Sequence, residues 1–204
     1  MVSSRAQSRQ VKVVHLSTLT LSDITQHRFL TDLFDGVTSK RIIKILLEVI
    51  TANLCLGEGL RLKGIGGLVV TQKASRLGRD MVRNEPVIIP ARKTVSLVSG
   101  RKKRSVIFML DFVKQCAETH PQFSVSEYTA AYLALVDVVS KVSEGDKRLE
   151  LRDFGVFSPS EISAKTKVSG VQGGISFKVE RHFLIRFKIS KNLSLKINST
   201  ELSE

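Results

Sequence analysis

The stretch Leu60-Arg-Leu-Lys-Gly-Ile-Gly-Gly-Leu68 decides the fold, because a diverged copy of it, Leu149-Glu-Leu-Arg-Asp-Phe-Gly-Val-Phe157, follows 89 residues later in a chain of 204. The copies share apolar residues at matched positions and one glycine, Gly66 in the first and Gly155 in the second. Each copy follows a long amphipathic stretch and precedes residues that alternate between apolar and polar. Such a repeat predicts two copies of one structural unit.

The residues around the first copy predict two helices and then strands. A short helix is expected over Leu21–Phe34, and a longer one over Lys40–Leu56 with Thr38 or Ser39 as its N-cap. Gly57 and Gly59 are expected to end the longer helix. The elements predicted after the motif are a strand over Leu68–Lys73, a basic loop over Ala74–Arg83 and a returning strand over Pro86–Pro90.

The second copy predicts the same order of elements. A helix is expected over Val106–Glu118, and a second over Tyr128–Val142, which follows a capping box at Ser124–Glu127 and ends at Gly145. A strand over Val156–Ile162, a loop over Lys165–Gly174 and a returning strand over Ile175–Val179 complete the copy.

This order predicts an α+β fold of two units, each with two helices, a three-stranded sheet and a long β-ribbon arm. The predicted boundaries are an N-terminal arm over 1–17, the first unit over 18–104, the second over 105–198 and a tail over 199–204.

Charge is concentrated in one part of the sequence. The chain carries a net charge of +13, and residues 60–104 alone hold 12 basic and 2 acidic residues. A concentrated excess of this kind indicates a polyanionic partner, most commonly a nucleic acid. An acidic protein surface is the alternative.

Other features narrow the class of protein. No apolar run approaches the roughly 18 residues that a membrane helix needs. Cys55 and Cys116 lie among apolar residues, as expected for core positions in a reducing compartment. Arg5, Arg9 and Lys12 precede the first acid, which fits either a mitochondrial-type presequence or a flexible basic arm.

The first copy resembles the bacterial HU/IHF family of histone-like DNA-bending proteins over residues 20–104. The resemblance lies in Leu62-Lys-Gly-Ile-Gly-Gly-Leu68, followed in order by Ala74-Ser-Arg-Leu-Gly-Arg-Asp-Met81 and Ile88-Ile-Pro-Ala-Arg-Lys93. The second copy resembles the family only through Leu151-Arg-Asp-Phe-Gly-Val-Phe157 and its helical pattern. Its arm lacks the basic signature, and Asp153 replaces the first glycine of the turn.

The resemblance implies an architecture and a way of binding DNA. The family forms intertwined dimers with one ribbon arm per chain, so two copies in one chain look like a fused pseudo-dimer. By resemblance, Arg76 and Arg79 enter the minor groove, Gly78 permits the tight turn of the arm, and Met81 takes the place of the family's intercalating proline. Asp80, in place of an asparagine, would put a negative charge beside phosphates.

The remaining predicted DNA contacts are cations that would bind phosphates and position the duplex without carrying sequence information. They are Lys73, Arg83, Arg92, Lys93, Arg101, Lys102, Lys103 and Arg104 in the first copy and linker, and Lys165 and Lys167 in the second arm. For Arg101–Arg104, a solvated linker is the alternative.

No catalytic motif or metal-ligand spacing stands out, so no enzymatic activity, cofactor or metal is predicted. Two functions stay open: a sequence-tolerant DNA-bending protein, or a tandem HU-like scaffold that binds other proteins. The retained basic arm favours the first.

Double-stranded DNA is the expected partner, with RNA as an alternative and no membrane. The chain is expected to act as a monomeric pseudo-dimer or as a homodimer, in a compartment that holds DNA, such as a nucleoid or a viral or organellar genome.

Overall fold

The computed structural model describes residues 16–98, 106–168 and 176–199. The helices are α1 (Leu21–Thr25), α2 (Arg28–Thr31), α3 (Gly36–Cys55), α4 (Met109–Thr119), α5 (Val125–Ser140) and α6 (Lys191–Ser199). The strands are β1 (Ser17–Leu19), β2 (Gly59–Leu62), β3 (Gly66–Lys73), β4 (Arg76–Arg79), β5 (Pro86–Ile89), β6 (Arg92–Val98), β7 (Val106–Ile107), β8 (Lys147–Leu151), β9 (Gly155–Ile162), β10 (Lys165–Val168), β11 (Ser176–Val179) and β12 (His182–Ile189).

The two copies exchange their first strands. One four-stranded sheet has the order β6-β3-β2-β7 and the other β1-β8-β9-β12. Strand β7, at the start of the second copy, pairs in parallel with β2 of the first, and β1 pairs in parallel with β8 of the second. Each predicted three-stranded sheet therefore gains a fourth strand from the other copy.

One hydrophobic core serves both copies. Ile42, Leu46 and Ile50 of α3 lie in the same buried cluster as Leu135 and Val139 of α5. The predicted α+β pseudo-dimer is thus confirmed, because neither helix buries its apolar face within its own copy alone.

Three predicted helices of the two copies differ at their ends for identifiable reasons. Helix α3 begins at Gly36 rather than Lys40, because the carboxylate of Asp35, and not Thr38 or Ser39, caps it by accepting the Thr38 amide at 2.7 Å. Hydrogen bonds from the Thr38 side chain and from the Thr38 amide lower the pKa of Asp35. The helix predicted over Leu21–Phe34 divides into α1 and α2, which Thr20 and His27 cap separately. The helix predicted from Val106 begins at Met109, because Val106–Ile107 is held in the sheet.

Helix α5 has the predicted capping box. Ser124 accepts the Glu127 amide, and the Glu127 carboxylate accepts the Ser124 amide at 2.6 Å, a bond that lowers the pKa of Glu127. The helix begins at Val125, three residues before the predicted start, and continues as a 3₁₀ turn over Lys141–Glu144. Gly145 ends that turn with a φ of +95°, as predicted.

Tyr132 joins the second copy to the motif of the first. Its fully buried hydroxyl donates to the carbonyl of Arg61 at 2.7 Å and accepts the Lys63 amide at 3.1 Å. The turn that connects β2 to β3 is therefore held by a side chain from the other copy.

Helix α6 belongs to the second copy but packs against α3 and β6 of the first. Leu193 and Ile197 are buried there, and the side-chain amide of Asn198 pairs with both backbone polar groups of Lys93, at 2.8 and 3.1 Å. Within the described ranges, no helix combines the length and apolar character needed to cross a bilayer.

Candidate nucleic-acid interface

The first arm is a two-stranded ribbon. Strand β4 pairs with β5 so that Arg76 lies opposite Ile89 and Arg79 opposite Pro86. The predicted loop over Ala74–Arg83 is therefore wrong in part, because Arg76–Arg79 is extended and paired. The reversal of the chain falls later, over residues 80–85.

Asp80 organises the tip of this arm. Its Oδ1 accepts the amides of Val82 at 2.8 Å and Arg83 at 3.3 Å, and its own amide donates to the carbonyl of Glu85 at 2.9 Å. Asn84 takes a φ of +58°, which asparagine tolerates better than most residues. The carboxylate at position 80 thus stabilises the turn.

Gly78 does not lie in the turn, so the role expected of it is corrected. It is part of β4, opposite Val87. A Cβ at this position would lie 2.6 Å from Cδ1 of Ile89. The glycine leaves room for that side chain to cross the ribbon.

The cations at the base of the first arm are exposed, and none of them pairs with a described carboxylate. Lys73, Arg76 and Arg92 line one cavity at the base of the arm, together with Ala74 and Ile89. Among the residues that the structure describes, no carboxylate oxygen lies within 4.0 Å of the side-chain nitrogens of these three cations. Uncompensated positive charge of this kind attracts a polyanion.

The other predicted cations of this arm lie apart from that cavity. Arg79 and Arg83 are exposed near the tip, where no described carboxylate pairs with either side chain. The Arg79 Nε donates to the carbonyl of Asn84 at 3.4 Å. Lys93 is half-buried under α6, which holds its backbone through Asn198.

Apolar side chains accompany the cations. Met81 is 89% exposed and its neighbour Val82 is 94% exposed, both at the tip. Leu77 and Ile88 lie opposite one another in the ribbon, and both are exposed. The resemblance predicted an apolar role for Met81 only, although Leu77, Val82 and Ile88 are apolar residues of the same basic segment.

The second arm has the same construction and different charges. Strand β10 pairs with β11, and Lys165 is exposed at its start. Lys167 lies in β10, with only its backbone described. At the base of this arm, Arg181 pairs with Glu161 at 2.9 Å, and Lys178 lies 3.6 Å from Glu180. Arg101, Lys102, Lys103 and Arg104 lie outside the described residues.

Metal-ligating side chains do not cluster in the described part of the chain. No group of three His, Cys, Asp or Glu side chains there is placed to hold a metal ion. Burial raises the pKa of the Cys116 thiol to about 12, so this cysteine is a poor nucleophile at neutral pH.

The fold and the interface define a class of α+β protein in which an interwound core carries two ribbon arms, one of them rich in unpaired arginine. The chain belongs to the bacterial DNA-binding protein family, whose family model matches residues 31–107 and 110–198. The resemblance to the HU/IHF family is thereby confirmed, in a tandem form with two matched segments in one chain.

Relatives of known identity match about half of the chain. Integration host factor subunit alpha of Psychrobacter arcticus is 28% identical over 92 residues, 45% of this chain and 93% of that protein. The subunit alpha of Neisseria meningitidis is 30% identical over 93 residues, 44% of this chain and 91% of that protein. The Anabaena HU–DNA cocrystal structure matches 44% of this chain and 95% of its own, with 16% identity and a TM-score of 0.38.

Proposed function

We propose that this chain is a non-catalytic architectural protein that binds duplex DNA largely without regard to sequence and bends it. The observation that carries the proposal is the first arm, which combines exposed, unpaired arginines with an exposed apolar tip. Guanidinium groups suit the narrow, negative minor groove, and an apolar side chain at a ribbon tip can enter between base pairs and kink the duplex. Membership of a DNA-binding family supports the same partner.

The cations have separate roles in this proposal. Arg76 and Arg79 follow the minor groove, and Lys73, Arg83 and Arg92 neutralise phosphates. Met81, together with Val82, forms the apolar wedge. Lys93, Lys165 and Lys167 add phosphate contacts, as do Arg101, Lys102 and Lys103 of the segment between the copies. The compartment proposed is one that contains DNA.

The proposal is tested by titrating a labelled duplex of about 35 base pairs with the full chain over a range of salt concentrations. Binding is expected to weaken linearly in log salt and to be tighter on nicked DNA, because a nick lowers the cost of bending. Duplex RNA serves as a competitor. Absence of binding at low salt would refute the proposal and leave the scaffold function as the alternative.

Variants assign the roles of the arm residues. Arg76→Ala with Arg79→Ala is expected to weaken binding to all sequences and to reduce the salt slope by about one unit per lost phosphate contact. Lys40→Ala with Lys44→Ala on α3 removes equal charge outside the arm and serves as the control. Met81→Ala is expected to reduce bending, measured by energy transfer between labelled duplex ends, more than affinity. Unchanged bending would refute the wedge.

A further inference from the structure

The bases of the two arms occupy matching positions in the two sheets. The ladder between β3 and β6 ends with Lys73 opposite Arg92, where the first arm begins. The ladder between β9 and β12 ends with Ile162 opposite His182, where the second arm begins. The pair of cations at one base is thus replaced by an isoleucine and a histidine at the other.

The charges around the two bases differ. At the first base, Lys73, Arg76 and Arg92 line one cavity, with no described carboxylate paired to any of them. This base therefore presents three uncompensated positive charges to solvent.

Beside the second base, a cavity is lined by three carboxylates, those of Glu144, Asp146 and Glu161, and by the guanidinium of Arg181. Their cationic neighbours are Lys147, which lies within 4.0 Å of Asp146 and also pairs with Glu144, and Arg181, which pairs with Glu161. Carboxylates therefore outnumber cations here, and at least one negative charge stays uncompensated.

We propose that DNA is held asymmetrically: Lys73 and Arg92 at the base of the first arm form a phosphate clamp next to the minor-groove residue Arg76, and the carboxylates beside the base of the second arm repel the backbone. This inference rests on the proposed function and adds that the two arms contribute unequally to binding. A duplex seated across both arms gains backbone contacts on one flank and meets carboxylates on the other. The complex is therefore asymmetric, and its backbone contacts and its bend are concentrated on the side of the first arm.

The test compares matched pairs of substitutions in the full chain on one nicked duplex. Lys73→Ala with Arg92→Ala is expected to lower affinity about tenfold near physiological salt and to reduce the salt slope by about two units. Lys165→Ala with Lys178→Ala removes the same charge from the second arm and is expected to change both quantities by less than half as much. Equal effects of the two pairs would overturn the asymmetry.

A converse variant restores charge at the second base. Ile162→Lys with His182→Arg copies the Lys73–Arg92 pair that ends the first sheet. Glu161→Gln removes one carboxylate from the cavity beside the second base. Tighter binding and a steeper salt slope in both variants are expected if this base repels phosphates, whereas unchanged binding in both would overturn the proposal. Circular dichroism verifies that each variant is folded. A wild-type chain that does not bind would instead refute the proposed function itself.

Discussion

Replacing Tyr132 with phenylalanine tests whether the two copies are held together through the motif that decides the fold. The substitution removes a hydroxyl that makes two hydrogen bonds to the other copy, to the Arg61 carbonyl and from the Lys63 amide. The ring is retained, so its packing against Phe112, with centroids 6.3 Å apart, is preserved. Each such hydrogen bond contributes about 1 kcal/mol, so the expected loss of stability is about 2 kcal/mol. The loss is not larger because Lys63 is exposed, and water can replace the lost partner of its amide.

The loss is measured by urea denaturation of both variants and the wild type, monitored by circular dichroism. Tyr128→Phe is the matched control, because its hydroxyl makes one bond, to the carbonyl of His120 within the same copy at 3.0 Å, worth about 1 kcal/mol. At constant m-value, Tyr132→Phe should lower the midpoint about twice as far as the control does. If Tyr132→Phe costs no more than Tyr128→Phe, the reasoning that the turn depends on the second copy is refuted.

Three further outcomes are expected. Gly155→Ala should destabilise the fold by more than about 3 kcal/mol, because its Cβ would lie 2.5 Å from the Lys188 carbonyl oxygen, whereas Gly36→Ala, with no atom within 4 Å of the new Cβ, should change thermal stability little. Burial raises the pKa of Asp137, but hydrogen bonds from His27 and Lys141 outweigh burial, so the pKa is lowered overall. The stability that this carboxylate supplies is therefore complete above about pH 4 and is lost as the pH falls further. The urea midpoints of wild type and Asp137→Asn should converge in acid, and a difference that stays constant with pH would contradict this expectation. A shared intramolecular core predicts a mass near 22.6 kDa by light scattering at micromolar concentration and an unfolding midpoint independent of protein concentration, whereas a mass twice as large would mean that chains pair.

Local sequence determined the elements whose signals compete with nothing else nearby. The capping box at Ser124–Glu127 and the left-handed Gly145 follow from side-chain and backbone chemistry within a few residues, and both were predicted correctly. The repeated motif likewise predicted two copies of one unit, since apolar spacing and turn glycines are properties of the chain itself. The start of α3 was misplaced because Asp35, Thr38 and Ser39 are all acceptable caps, and only the folded backbone selects among them.

The candidate site also has features that the sequence predicted and features that only the structure shows. The sequence located the arginines and Met81 on a basic segment, and the structure places them on one ribbon and near its tip. It did not indicate that Asp80 would be occupied by the turn, or that Gly78 would accommodate Ile89, because both depend on the register of β4 against β5.

What the sequence by itself determined is the repeat, the α+β class and the concentration of charge, which are read from residues close together in the chain. Only the tertiary structure decided that Val106–Ile107 and Ser17–Leu19 exchange between sheets and that Tyr132 holds the turn of the other copy. It also decided that Lys73, Arg76 and Arg92 meet around one cavity while Glu144 and Glu161 meet around another. These contacts join residues up to about 130 positions apart, and periodicity within a copy carries no information about which strand or side chain of the other copy will complete its sheet and its core.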